Sequence, residues 1–197
     1  MPTSETKLTI YNGALDIVCA RALTSTSEDS PEARWLNRNY TPYLETLLTN
    51  YLWYFAMEAK SLNSDGSYTA ARGWSYRYAW PNNALRLVPP SQYGIRGYPP
   101  IKYELKGQYI YTNVAQPLLA DFIMNETDPG NWHALFAMAL KGSLAEGMAQ
   151  RFVNKNTYVQ EARKFKEDAI AQAEQVDAFM TGVEEPAVHD IILAREL

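Results

Sequence analysis

The side chains that could do chemistry are few and far apart. The chain holds one cysteine, Cys19, and two histidines, His133 and His189, which stand 56 residues apart. A Cys/His zinc site needs four protein ligands, or three and a water, and a disulfide framework needs a second cysteine. Only a carboxylate magnesium site stays open. The adjacent acids Glu28/Asp29, Glu167/Asp168 and Glu184/Glu185 are candidates for it or for an acid/base dyad, but neighbouring residues on a helix point to different faces, so solvated surface is expected. His133, between Trp132 and Ala134, is expected to be structural rather than a general base. Cys19 sits near an apolar helical stripe and has no identifiable partner histidine, so it is expected to be a small buried hydrophobe. The chain has no P-loop and no Gly-x-Ser-x-Gly elbow. Gly94-Ile95-Arg96-Gly97 runs into Tyr98-Pro99-Pro100, which no phosphate-cradling helix could follow. No catalytic, cofactor-binding or metal residue is assigned, and a non-enzymatic role is expected.

A second kind of chemistry is concentrated in the middle of the chain. Gly66–Tyr111 carries ten of the 25 aromatic residues, and six cations (Arg72, Arg77, Arg86, Arg96, Lys102, Lys106) against Glu104, a net +5. The segments on either side are net −3 and −6. Trp74, Tyr76, Arg77 and Tyr78 interleave rings and charge in the manner of a single-stranded nucleic-acid platform. The competing reading is that aromatics alternate for strand packing while the basic residues serve solubility or a neighbouring acidic subunit. The acidic whole, without a ribonucleoprotein-type motif, favours the second.

The elements that must position these residues follow from periodicity. Leu8, Tyr11, Leu15, Val18 and Ala22 recur at steps of three and four, which predicts a helix over Leu8–Leu23. Ser30-Pro31-Glu32 is a helix start: cap, first-turn proline and acid. It predicts a second helix from Pro31 to Lys60, kinked or split at Pro42. Strands are predicted over Ser75–Trp80, Ala84–Val88, Ile101–Leu105 and Gln108–Thr112, the last two joined by a tight turn at Lys106-Gly107. Pro89–Pro100, with four prolines and two glycines, predicts an extended loop. Asp128-Pro129-Gly130-Asn131 opens a third helix running to Phe152, and a fourth spans Thr157–Met180. The order predicts an α+β fold: a bundle of about four helices from both chain ends (1–65 and 114–182), an inserted antiparallel β-rich lobe (66–113) and a tail (183–197).

Length and composition agree with one compact unit. At 197 residues, 47% hydrophobic and a formal charge of −4, the chain belongs to the ordinary globular class. It lacks the roughly 18-residue apolar run of a membrane span, and Met1–Ser30 lacks signal-peptide character. A soluble protein made in the cytoplasm is expected.

The order of landmarks resembles the head-to-tail connector, or adaptor, proteins of tailed bacteriophages, in particular the tail tubular proteins of short-tailed phages. The resemblance rests on Trp53-Tyr54-Phe55-Ala56 closing the second helix; on Tyr76-Arg77-Tyr78-Ala79-Trp80-Pro81 followed by Leu85-Arg86-Leu87; and on the Tyr103–Asn113 hairpin. Pro117-Leu118, Asp128-Pro129, Phe136 with Ala139-Leu140, and Leu144-Ala145 with Met148-Ala149 follow in the same order. It implies a structural virion protein in the neck or tail: a homo-oligomeric ring, typically a dodecamer, joining the portal protein to the tail nozzle or tube. DNA would pass through the lumen without sequence-specific binding, eased by acidic helices that repel phosphate. A closed ring needs one patch to meet a different patch on the next copy, and a basic lobe with acidic flanks offers that complementarity.

Partner docking is expected at Ile191, Ile192 and Leu193, an apolar patch in the acidic tail, which could dock on the portal or a neighbour or fold back on its own bundle. The second candidate is the 89–100 loop, through Tyr93, Ile95 and Tyr98, facing the tail partner.

Overall fold

The computed structural model describes residues 5–89, 101–153 and 156–180. Among them are four α-helices and six strands: α1 Lys7–Ile17, α2 Pro31–Asn50, β1 Met57–Leu62, β2 Tyr76–Ala79, β3 Ala84–Leu87, β4 Tyr103–Lys106, β5 Tyr109–Thr112, β6 Leu118–Met124, α3 Ala134–Met148 and α4 Asn156–Met180. The fold is mixed helix and strand with two small antiparallel sheets, in orders β1-β6-β3 and β2-β5-β4.

The helix starts follow local rules. Thr6 and Thr9 cap α1 reciprocally, and the Ser30 hydroxyl accepts from Ala33 N–H at 3.1 Å. The helix ends do not. The first helix stops at Ile17, six residues short of the expected Leu23. Cys19 adopts φ +54°, while Cys19 N–H donates to Asp16 O and Ala20 N–H to Leu15 O, the paired bonds of a Schellman cap. That cap ordinarily carries glycine, so the sequence held no stop signal. Cys19 is exposed, which overturns its expected burial: at the cap its side chain leaves the apolar stripe.

The second helix ends at Asn50, not near Lys60. Two of its last carbonyls are capped by side chains from beyond the helix: Trp53 Nε1–H donates to Leu47 O at 2.8 Å and Arg86 to Thr49 O at 3.0 Å. The helix continues through Pro42 as one element. Residues expected to prolong it form a 3₁₀ turn, Tyr54–Ala56, and then strand β1. β1 and β6 both lie outside the expected lobe, and they pair over their whole length, Met57 opposite Ile123 through Leu62 opposite Leu118.

Asp128–Asn131, expected to open the third helix, form a 3₁₀ turn, and the expected run to Phe152 becomes a π-helix over Ala149–Val153, so α3 is confined to Ala134–Met148. Ten of its residues are buried, from Phe136 to Met148, as expected of a helix apolar on every side. It packs on α1, α2 and α4. At Gly142 the α4 backbone comes so close that an added Cβ would lie 3.0 Å from Lys166 N and Cα. Trp53, Phe55 and Trp132 pack around Phe136 with ring centroids 4.8–5.0 Å away, tying the α2–β1 connection to the start of α3.

β6 divides two cores. Ile123 belongs to the helical core, whereas Leu118, Ala120 and Phe122 join Tyr78, Leu87 and Ile110 in a second core between the sheets. The layers therefore run helices, then β1-β6-β3, then β2-β5-β4, and the last sheet has an outer face turned away from the helices.

Candidate functional site

Strand alternation decides what that outer face carries. Directly opposed residues of an antiparallel pair share a face. Register sets Tyr76 opposite Thr112, Tyr78 opposite Ile110 and Tyr103 opposite Thr112; these look inward, with Tyr78, Ile110 and Thr112 fully buried. Arg77 opposite Tyr111, Glu104 opposite Tyr111, and Lys106 opposite Tyr109 look outward. The register is pinned by the β4–β5 turn, where Gly107 takes φ +59°.

The segment between β1 and β2 folds over this face. Asp65 N–H donates to Arg77 O at 2.7 Å. The Asp65 carboxylate accepts from Ser67 N–H at 2.9 Å and the Ser67 hydroxyl at 2.7 Å, and forms an ion pair with Arg77. These hydrogen bonds, Ser67 first and Arg77 next, hold the Asp65 carboxyl down at about 2. The Arg77 guanidinium lies between Tyr109 and Tyr68, 4.4 Å and 5.1 Å from the ring centroids. Tyr68 meets Tyr111 edge-on at 5.6 Å.

Ala71 and Trp74 exchange backbone hydrogen bonds at 3.1–3.2 Å, with Arg72 at φ +52° and Gly73 at φ +85° between them, the pattern of a type I′ turn. The Tyr68 hydroxyl accepts from Ala71 N–H at 3.2 Å and fixes the turn from inside. From its far end Trp74 Nε1–H donates to Glu104 Oε2 at 2.8 Å, while Lys106 Nζ donates to Oε1 at 2.7 Å. Lys106 and then Trp74 hold the Glu104 carboxyl below its ordinary range. Between turn and strands opens a cleft of about 220 Å³, walled by Tyr68, Trp74 and Tyr111 with Arg72, Lys106 and Glu104 at its edges.

The four residues expected to form a nucleic-acid platform are therefore divided. Trp74 and Arg77 face outward, Tyr78 is fully buried and Tyr76 packs against the inter-sheet core. Arg77 is engaged by Asp65 and two rings. Of the lobe's remaining cations, Arg86 caps α2 and Lys106 is paired with Glu104. Ile191, Ile192, Leu193, Tyr93, Ile95 and Tyr98 lie outside the described residues. Sequence reasoning assigned none of Tyr68, Arg72, Glu104, Lys106 and Tyr111 to a site; Arg72, Glu104 and Lys106 entered it only as charges of the lobe. The available signals were the Lys106-Gly107 turn, whose register pairs Glu104 with Tyr111, and the Arg72-Gly73 dipeptide.

A second cavity, about 290 Å³, lies between α2, α3 and α4, lined among others by Tyr43, Leu47, Tyr51, Glu146 and Lys166. Its carboxylate, Glu146, is matched by Arg163 at 2.9 Å and Lys166 at 2.7 Å. Among the described residues no three His, Cys, Asp or Glu side chains gather to hold a metal, and no helix is long and apolar enough to cross a membrane. His133 caps α3, its Nδ1 accepting from Leu135 N–H at 3.3 Å. The described residues thus present an aromatic and ionic face on the outer sheet and a helical layer on the other side of the middle sheet. Comparison of the sequence with models of protein families and with curated proteins finds no match.

Proposed function

We propose that this chain is a structural adaptor of a bacteriophage neck, assembling as a ring beneath the portal and joining it to the tail nozzle or tube, with DNA passing through the lumen. The observation that carries the reading is the two-ended build. The helical layer and the outer face of β2-β5-β4 are chemically unlike and lie on opposite sides of a shared middle sheet, and a closed ring is made from such unlike patches. The residues of the resemblance support it. Trp53 and Phe55 pack on Phe136, Arg86 caps α2, and Trp80 Nε1–H donates to Ala84 O at 2.8 Å while its ring meets Phe122 at 5.4 Å. Sequence landmarks and architecture thus share one set of residues. Ion pairing of Arg77 and Lys106, and burial of Tyr78, weigh against a nucleic-acid platform built on the same lobe, because a phosphate would have to displace carboxylates already in place.

Native mass spectrometry of the protein mixed with the portal ring of the same particle tests this, with a single-stranded oligonucleotide as parallel ligand. A stoichiometric ring on the portal and no oligonucleotide complex is the expected result. Oligonucleotide binding with an unoccupied portal would overturn it.

A further inference from the structure

The cleft on the outer face of β2-β5-β4 is built like a recognition site. Its walls are preorganised: Tyr68 is bonded to its own turn, Trp74 and Lys106 to Glu104. Arg72 differs from the rest. It is exposed, makes no hydrogen bond or ion pair among the described residues, and acts on Glu104 only across space. It also occupies a left-handed position, φ +52°, where asparagine or glycine is favoured; an arginine held there at a local cost points to function rather than to the turn. A cation at the rim of an aromatic cleft selects a ligand with a carboxylate beside a flat apolar group, and proline stacked on aromatic rings is a common form of the latter.

The chain itself carries such a ligand. Glu184-Glu185-Pro186-Ala187 follows α4 in a segment, 112–197, that is net −6, whereas the lobe is net +5. α4 packs in the helical layer, and the cleft opens on the far side of two sheets stacked about 10 Å apart. We infer that the cleft of Tyr68, Arg72, Trp74, Glu104, Lys106 and Tyr111 receives Glu184-Glu185-Pro186 of a neighbouring copy, a heterologous contact in which the acids meet Arg72, the cleft cation that no carboxylate among the described residues already pairs, and the proline meets Trp74 and Tyr111. The inference rests on the ring reading and names a contact that would close the ring.

The test uses the full-length chain carrying Glu184→Gln and Glu185→Gln, so that its own tail does not compete, labelled with ¹⁵N and titrated with the peptide Thr181–Asp190, which omits Ile191–Leu193. Saturable shifts of the Trp74 indole N–H and the Arg72 Nε–H, with a Kd of order 1 mM or tighter, are expected. Arg72→Asn, which suits the turn and removes the charge, should weaken binding about tenfold, as should glutamine at both acids of the peptide. The two losses together should fall short of additive, because both remove one contact. Absence of saturation, shifts confined to other surfaces, or insensitivity to Arg72→Asn would overturn the proposal. So would cleft signals of the unsubstituted chain that stay in the bound position at every dilution, since these would assign the cleft to the chain's own tail. A ring on the portal without cleft binding removes this contact and leaves the adaptor reading; cleft binding without a ring does the reverse.

Discussion

Asp65 gathers more of the outer face than any other side chain, since it accepts from Ser67 and Arg77 while its backbone pairs with β2. Its carboxyl is held at about 2 against an ordinary 3.8. A carboxyl whose pKa is depressed by folding binds its proton more readily in the unfolded chain, so stability rises with pH through that window. The contribution is complete above about 4 and is lost as pH falls from there toward 2. Acid titration of unfolding should show this slope, and Asp65→Asn should flatten it between those limits; an unchanged slope would mean that other carboxyls dominate. At the same scale, the alternation Trp74-Ser75-Tyr76-Arg77-Tyr78 was visible in the sequence. Which half of it faced outward was not, because a strand's pattern names two faces without saying which one a second layer will cover.

At the scale of elements, the close approach of α3 and α4 depends on small residues, and at Gly142 the α4 backbone leaves no room for a side chain. Alanine there would gain up to about 1 kcal/mol of helix propensity. Its Cβ, 3.0 Å from the Lys166 backbone, would have to push α4 aside, at about 1–3 kcal/mol. Gly142→Ala should therefore lower the urea midpoint; a rise would show that the helices yield freely. Two helix starts were legible because caps are local: Ser30-Pro31-Glu32 marks the start of α2, and the fourth helix begins within one residue of its expected position, whereas Asp128-Pro129-Gly130-Asn131 opens a 3₁₀ turn and α3 starts at Ala134 with His133 as its cap. Helix ends were not. Cys19 stands where glycine normally signals a stop, and α2 ends where Trp53 and Arg86, the latter 37 residues from Thr49, reach its carbonyls.

For the whole molecule, β6 is the shared wall. Phe122 and Ile123 are adjacent, both fully buried, and face different cores. Phe122→Ala should cost about 3–5 kcal/mol and Ile123→Ala about 2–5 kcal/mol. Because one strand serves both cores, each variant should unfold in a single transition, with hydrogen exchange faster in both sheets and in α3. Two separate transitions would mean that the inter-sheet core is independent of the helices. The same shared wall sets the outer face of β2-β5-β4 on the side of the sheets away from the helices.

The sequence by itself determined that there are four helices and roughly where they lie, the four central strands, the β4–β5 turn, and the basic aromatic character of the lobe. Each of these is written in spacing or in a residue's own preference, and neither depends on what lies across the chain. The tertiary structure alone decided that Met57–Leu62 is a strand rather than the end of a helix, that Leu118–Ile123 pairs with it across 55 intervening residues or more, and that Arg77 belongs to Asp65 rather than to solvent. A short apolar run suits helix and strand almost equally, so its fate rests on the partner that satisfies its backbone. A cation's role likewise rests on the carboxylate that folding brings to it.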